Sequence, residues 1–389
     1  MEVQPGLFLR ANDRFALDLL KTAHSESPDR NIVIAPLPIS LAFGALWIEA
    51  LDSSKELEGA FYWDGLYDQS VAARMILARF TRPKARSSRR PAQAPVRAGK
   101  AERLYFESLK REEMWLSLAF LYRGAGSLSP QFIEKARDFG LRFRAVGGRD
   151  TQSGVVAKDW DTSLPLPKFT QNDDFWITSH THLREPWTGS DFNAERREFK
   201  LRSGEVVQAD FMQSSSGLYP YARTEQFEAV ALGCEEATVM LVLPTGNHRI
   251  EELEATIAQR PDWVESLLKK GLGDVLLPPF HFSFDANLRN AIEALGVHRI
   301  FHDPRLLYLV AKKGGVLSGI AQKTEITVDK YGIRTDSGND MLGGSGVGGM
   351  PVGAVPFHMT LDRPFLFLIR DNTTGALLFD GVVMNPTLQ

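Results

Sequence analysis

Two short motifs in this chain place residues of known chemistry at suggestive spacings. His180 and His182 are separated by one residue, so a strand would present both imidazoles on one face, where they could bind a metal ion. Because no third ligand can be identified, ordinary strand histidines are the simpler prediction. Residues 344–349 fit G-x-G-x-x-G, but a dinucleotide motif must open a helix, and Met350-Pro-Val-Gly follows here. We therefore predict that the protein uses neither a metal nor a cofactor.

The nucleophiles of the chain lack the local patterns of a hydrolase. The sequence contains no G-x-S-x-G elbow, and its serine, histidine and aspartate residues show no triad signature. Cys234 is the only cysteine, which excludes an internal disulfide framework and is typical of a small buried residue. These features predict a protein that is not an enzyme.

Composition excludes several other classes of protein. The 389 residues carry a net charge of -3 and 43% of them are apolar, which is typical of a globular protein. This charge predicts no general attraction to nucleic acid or membranes, and no apolar run approaches the roughly 20 residues of a membrane span. Since the N-terminus has no basic start followed by an apolar core, we expect a cytoplasmic location, or secretion if a leader has been removed.

Apolar periodicity predicts which elements position these residues. Helices are predicted from Asn12, from Pro38 to about Ala50, over residues 69–80, from Ser129-Pro130 to about Phe139, and from Asp285 to about Gly296. Strands are predicted at residues 32–34, 115–121, 175–182, 238–243, 365–369 and 376–383. The last two are too apolar to alternate, so both should be buried on two faces. Without βαβ alternation, repeats or linkers, the pattern predicts a single α+β domain over residues 1–389 with mostly antiparallel sheets.

One segment, residues 82–100, differs sharply from the rest in composition. It contains no acidic residue and three prolines, so it should form a mobile loop. A solvated insertion is one interpretation, and a docking site for a polyanion is the other, because clustered cations attract phosphates or sulfates. The basic residues are Arg82, Lys84, Arg86, Arg89, Arg90, Arg97 and Lys100.

Four segments resemble the serpin family in sequence and in order. They are residues 31–46 (NIVIAPLPISLAFGAL), 239–254 (beginning VMLVLP), 277–288 (LPPFHFSFDANL) and 363–386 (RPFLFLIRDNTTGALLFDGVVMNP). The last is close to the C-terminal signature of the family, and the spacing fits over residues 12–386. The resemblance implies a monomer with three β-sheets, about nine helices and an exposed reactive-centre loop, here at about residues 332–355.

The resemblance also implies a function and a partner. In an inhibitory serpin a serine protease attacks the loop and forms an acyl-enzyme, after which the cut loop inserts as a new strand in the large sheet. The protease supplies the nucleophile, and insertion of the loop distorts the protease. The implied partner is therefore a serine protease, and the implied activity is inhibition by a bait loop.

The hinge of that loop departs from the family pattern, in which glycine and threonine precede small residues. Here the hinge residues are Gly332, Ile333, Arg334, Thr335, Asp336 and Ser337. On an inserted strand Ile333, Thr335, Ser337 and Asn339 would face inward, and Arg334, Asp336, Gly338 and Asp340 would face outward. The charges of Arg334, Asp336 and Asp340 are tolerable only if the outward face of the inserted strand stays exposed to solvent. The following glycines would lose entropy on insertion without adding packing.

The scissile bond is hard to place because the loop is longer than usual. Counting from Gly332 points near Gly346 and Val347, whereas counting back from Pro364 points near Gly353. Met341, Leu342 and Met350 are the plausible specificity residues. Because no Lys or Arg lies between Met341 and Leu361, an elastase-, chymotrypsin- or subtilisin-like protease is expected.

A second departure lies in the region where the large sheet must open. The family has two serines, an asparagine and a histidine there, and the matching positions are Ala35, Pro38, Ser179 and Gln322. The polar network of this region is therefore rebuilt or absent. Two hypotheses follow: a serine protease inhibitor, and a binding or structural member of the fold whose loop never inserts and which polyanions regulate.

Overall fold

Helices dominate the first part of the protein. The computed structural model describes residues 4–48, 54–66, 69–80, 113–123, 128–146, 164–188, 192–335 and 356–388. Those residues form nine α-helices: α1 Gln4–Glu26, α2 Pro36–Trp47, α3 Ser54–Ala60, α4 Gln69–Phe80, α5 Pro130–Arg137, α6 Ile250–Gln259, α7 Trp263–Leu267, α8 Arg289–Ala294 and α9 Arg299–His302. A short 3-10 helix, Pro304–Leu307, follows α9.

The larger sheet contains ten strands. Its order is β1 Ile32–Ile34, β16 Leu377–Val383, β15 Phe365–Asp371, β9 Ala237–Pro244, β8 Phe227–Gly233, β7 Gly217–Arg223, β10 Lys269–Leu277, β6 Val206–Ser214 and β5 Phe192–Lys200. Strand β14, Pro356–Thr360, lies parallel to β10. Because β7 bonds to both β8 and β10, two of the three expected sheets are joined into one ladder.

The smaller sheet contains six strands. Its order is β11 Phe280–Asn287, β12 Leu317–Asp329, β13 Gly332–Arg334, β4 Phe175–Pro186, β2 Glu113–Arg123 and β3 Leu141–Val146. Apart from β2–β3, β4–β12 and β10–β14, the recorded strand pairs are antiparallel. The predicted α+β class is confirmed.

Three predicted helix boundaries are wrong. Asn12 does not begin a helix, because α1 already starts at Gln4, and the side-chain oxygen of Asn12 accepts a hydrogen bond from the hydroxyl of Ser40 in α2. The helix predicted from Pro38 to Ala50 begins at Pro36 and ends at Trp47, because Ala35 is extended and Pro36 already fits the first turn. Asp285 does not cap a helix, since it lies inside β11, and α8 begins only at Arg289. The buried phenylalanines of β11 alternate with period two, and this strand pattern outweighs the capping signal.

The C-terminal hairpin lies in the interior of the larger sheet. Strand β15 is flanked by β16 and β9, and β16 is flanked by β15 and β1. Nearly all residues of both strands are buried, which agrees with their mainly apolar sequences. The turn is held by Asp371, whose Oδ2 accepts hydrogen bonds from the N–H and hydroxyl of Thr374. Arg79 of α4 donates to the other oxygen of Asp371 at 3.0 Å. The hairpin is therefore fixed to the sheet and to a helix.

Strands β4 and β12 form a fork in the smaller sheet. They pair directly and in parallel from Leu317↔Phe175 to Gln322↔Ser179. Beyond this point β13 lies between them and is antiparallel to both. This fork positions the functional site.

Candidate functional site

The first hinge residues form β13 and lie inside the fork. Ile333 pairs with Val328 of β12 on one side and with Glu185 of β4 on the other. A Cβ atom on Gly332 would lie 2.1 Å from the carbonyl oxygen of Glu185, so only glycine fits this close approach. The start of the predicted reactive loop is therefore already a strand of the smaller sheet.

Thr335 extends this strand contact by one residue. Its N–H donates to the carbonyl oxygen of Leu183 at 2.9 Å, and its hydroxyl accepts from the N–H of Leu183 at 2.7 Å. The side chains of Ile333 and Thr335 are both buried. Threonine therefore satisfies its own hydroxyl by bonding to the β4 main chain.

The side chain of Arg334 is buried, although an outward charge of the hinge was expected to require contact with solvent. Its side chain is only 10% exposed, and its Nη2 lies 2.6 Å from Oδ2 of Asp329. Burial raises the pKa of Asp329, and the positive charge of Arg334 opposes that rise. The ion pair supplies the compensation that a buried guanidinium requires, so solvent is not needed.

Asp329 also fixes the turn that leads into the hinge. Its Oδ1 accepts a hydrogen bond from the N–H of Tyr331 at 2.9 Å. Its carbonyl oxygen accepts a hydrogen bond from the indole Nε1 of Trp187 at 2.7 Å. The hinge turn is thus connected to the end of β4.

Gln322 ties the closed end of the fork to helix α2. Its Oε1 accepts from the N–H of Ala35 at 2.8 Å, and its Nε2 donates to the carbonyl oxygen of Ala35 at 2.8 Å. Nε2 also donates to Oγ of Ser179 at 3.1 Å, and all three residues are buried. The ring of Pro38, in the first turn of α2, is buried but has no donor to add. Of the two alternatives for this region, the geometry corresponds to a rebuilt network.

The chain is similar to known proteins over most of its length. A family model described as Serpin (serine protease inhibitor) matches residues 159–386, which is more than half of the chain. The chain belongs to the serpin family. The family model and the curated relatives are described as protease inhibitors and not as catalysts, so the prediction that the protein is not an enzyme is confirmed.

Individual serpins resemble this one at low identity. A serine protease inhibitor of Rattus norvegicus is 23% identical over 391 residues, which cover 97% of this chain and 88% of the relative. Native protease nexin-1, solved with heparin, superposes with a TM-score of 0.75 at 18% identity, with 99% of this chain and 100% of the other covered. Human thyroxine-binding globulin gives a TM-score of 0.73 at 17% identity over 99% and 100%. At these identities the structural likeness shows the fold alone.

Several predicted site residues of this serpin lie outside the described residues. These are the distal hinge residues Asp336 and Ser337, the scissile candidates Met341, Leu342, Gly346, Val347, Met350 and Gly353, and the basic residues Arg82, Lys84, Arg86, Arg89, Arg90, Arg97 and Lys100. The structure thus brings together the proximal hinge and three of the four sheet-opening positions.

His180 and His182, the pair considered above as metal ligands, pack against the ring of Trp115. His182 is stacked on Trp115 with ring centroids 5.1 Å apart, and His180 meets the same ring edge-on. Among the residues that the structure describes, no group of three or more His, Cys, Asp or Glu is arranged to hold a metal ion. No described helix is long and apolar enough to cross a membrane.

Sequence reasoning missed two residues that shape the hinge. Asp329 lies three residues before Gly332 and Trp187 lies far from the hinge in sequence, and neither belongs to a motif of its own. The presence of an arginine five residues after this aspartate was the one signal that could have identified Asp329. Nothing in the sequence indicated that the indole of Trp187 would reach the hinge turn.

Proposed function

We propose that this serpin inhibits serine proteases by inserting its cleaved loop between β4 and β12. The observation that carries the proposal is the position of β13, because the loop enters the fork as a strand hydrogen-bonded on both sides. Cleavage would free the residues after Thr335 to extend β13. Each added residue would satisfy main-chain groups of both neighbouring strands, which is the driving force of β-augmentation.

The hinge chemistry supports insertion better than its sequence alone does. Ile333 and Thr335 bury their side chains, and the charge of Arg334 is balanced by Asp329. The rat relative is named a serine protease inhibitor, which supports the same activity here. We further propose an elastase-, chymotrypsin- or subtilisin-like target, because Met341, Leu342 and Met350 are the large apolar residues of the loop.

A second candidate function is a binding protein whose loop advances no further than Thr335. Gln322 favours it, because continued insertion must separate Gln322 from Ser179, and three hydrogen bonds hold this region. Thyroxine-binding globulin, solved with thyroxine, shows the same fold in a protein named for a small ligand.

We also propose that a polyanion binds the basic segment between α4 and β2. Seven cations without an acid provide the attraction, which salt would weaken. Protease nexin-1, whose fold is similar to that of this protein, was solved in the presence of heparin. Heparin binding that vanishes when Arg86, Arg89 and Arg90 are replaced by alanine would support the proposal, and binding unchanged by these replacements would contradict it.

The protease proposal is tested by incubation with elastase-, chymotrypsin- and subtilisin-like enzymes, followed by denaturing electrophoresis. We expect a covalent complex with at least one enzyme. Thr335→Glu should be cleaved without forming the complex, because a buried carboxylate would block the hinge. Lys330→Glu places the same charge on the exposed turn nearby and should leave the complex intact. Cleavage of the unaltered protein without any complex would favour the binding protein instead.

A further inference from the structure

Asp380 places a carboxyl group in the centre of the hydrophobic core. It lies in β16, where it pairs with Ile34 of β1 on one side and Leu368 of β15 on the other. Its side chain is completely buried. Within the described part of the chain, neither carboxyl oxygen accepts a hydrogen bond from another residue. An isolated carboxylate in such a place is strongly unfavourable.

The cations near Asp380 are already engaged by other carboxylates. Helix α1 packs against both β16 and α6. There, Nδ1 of His24 lies 2.8 Å from Oε2 of Glu254, and Nη1 of Arg370 lies 2.8 Å from Oδ2 of Asp13. Arg370 is also bonded to Glu265 of α7 at 2.5 Å.

These contacts leave neither cation free for Asp380. His24 is paired with Glu254, and Arg370 is shared between Asp13 and Glu265. An ionised Asp380 would therefore add an uncompensated negative charge beside the carboxyl groups of Asp13 and Glu254, and a neutral Asp380 adds none.

We propose that Asp380 binds a proton in the folded protein at neutral pH, and that this proton couples the stability of the core around β16, α1 and α6 to acidity. This function of the scaffold is independent of whether the loop traps a protease. It makes the folded protein respond to pH through a residue buried far from solvent.

The direction of the response follows from the protonation of the two states. Burial, together with the charges of Asp13 and Glu254, raises the pKa of Asp380 well above its ordinary value, although Arg370 and its own backbone act in the opposite direction. In the unfolded chain the group ionises near its usual pKa of about 3.9. Between these two pKa values the folded state holds one more proton, so stability falls as pH rises.

Other groups that face Asp380 titrate as well. Burial raises the pKa of Asp13 to about 6 and also raises that of Glu254. Burial alone would lower the pKa of His24, but its hydrogen bond to Glu254 and the charge of that residue raise it. The test must therefore compare proteins that differ only at Asp380.

The experiment measures urea unfolding from pH 5 to pH 8 for the unaltered protein, Asp380→Asn and Asp380→Leu. The ratio of the unfolding constants, unaltered over variant, should rise with pH by up to about tenfold per unit, because only the unaltered protein must release a proton. Asp210→Asn, at an exposed position of β6, is the control and should leave the profile unchanged.

A spectroscopic measurement keeps the proposal testable if both variants fail to fold. The infrared spectrum of the unaltered protein at pH 7 should contain the carbonyl band of a protonated, dehydrated carboxylic acid. A ratio of unfolding constants that does not change with pH would overturn the proposal. So would the lack of a protonated carboxyl band at pH 7.

Discussion

The side-chain amide of Gln322 makes the two hydrogen bonds to Ala35 that the main chain of a neighbouring strand would make. Oε1 accepts from the N–H and Nε2 donates to the carbonyl oxygen, both at 2.8 Å. The same Nε2 reaches Ser179 on β4. One residue thus connects β12, β4 and the start of α2 at the last direct pair before the fork opens.

Replacement of Gln322 should weaken the fold. Gln322→Ala would leave the buried N–H of Ala35 without its acceptor and would remove one of the donors to its carbonyl oxygen, at a cost of about 1–3 kcal/mol in unfolding free energy. Urea denaturation measures this loss. Gln208→Ala, at an exposed position of β6, removes the same side chain and should change stability by less than about 0.5 kcal/mol. Equal effects from the two variants would show that the bonds to Ala35 contribute nothing.

The hinge ion pair should be worth more than an exposed one. Asp329→Asn removes the carboxylate charge that lies 2.6 Å from the largely buried guanidinium of Arg334, and we expect a loss of about 2 kcal/mol in unfolding free energy. Thermal unfolding at pH 7 measures this loss. Glu195→Gln breaks the exposed pair with Arg197 and should cost about 0–1 kcal/mol. An Asp329 variant as stable as the Glu195 variant would contradict the compensation argued for Arg334.

The sequence predicted the scaffold well because its main signals are local. The apolar runs of the C-terminal hairpin and the cap-proline pair Ser129-Pro130 mark elements that occur where predicted. The helix predicted to begin at Asp285 was wrong, because an aspartate fits the exposed face of a strand as well as the cap of a helix. The engagement of Arg334 with Asp329, and of Gln322 with Ala35, depends on tertiary contacts that no local pattern specifies.

The buried pair of His24 and Glu254 should make stability depend on pH. The pKa of His24 is raised above its ordinary value of about 6.5, because the hydrogen bond and charge of Glu254 outweigh burial, which would lower it. A histidine with a raised pKa stabilises fully below its unfolded pKa, and the stabilisation is lost as pH rises through the folded pKa.

Glu254→Gln should therefore cost stability in acid more than in alkali. At pH 5.5 the change leaves the imidazolium of His24 buried without its counter-charge, and we expect a loss of about 3 kcal/mol in urea unfolding. The loss should be smaller at pH 8.5. His248→Ala removes the exposed pair with Glu252 and is the control, with little effect at either pH. A Glu254→Gln variant whose loss does not vary with pH would refute the assignment of a charged imidazole.

The central claim is that the loop can continue β13 between β4 and β12, and thermal unfolding after limited proteolysis of the loop tests it most directly. A protease that cuts between Thr335 and Pro356 without being trapped leaves a nicked protein whose melting temperature can be compared with that of the intact one. Insertion predicts a clear rise for the unaltered protein and none for Thr335→Glu. An unchanged or lower melting temperature after nicking of the unaltered protein would contradict the account.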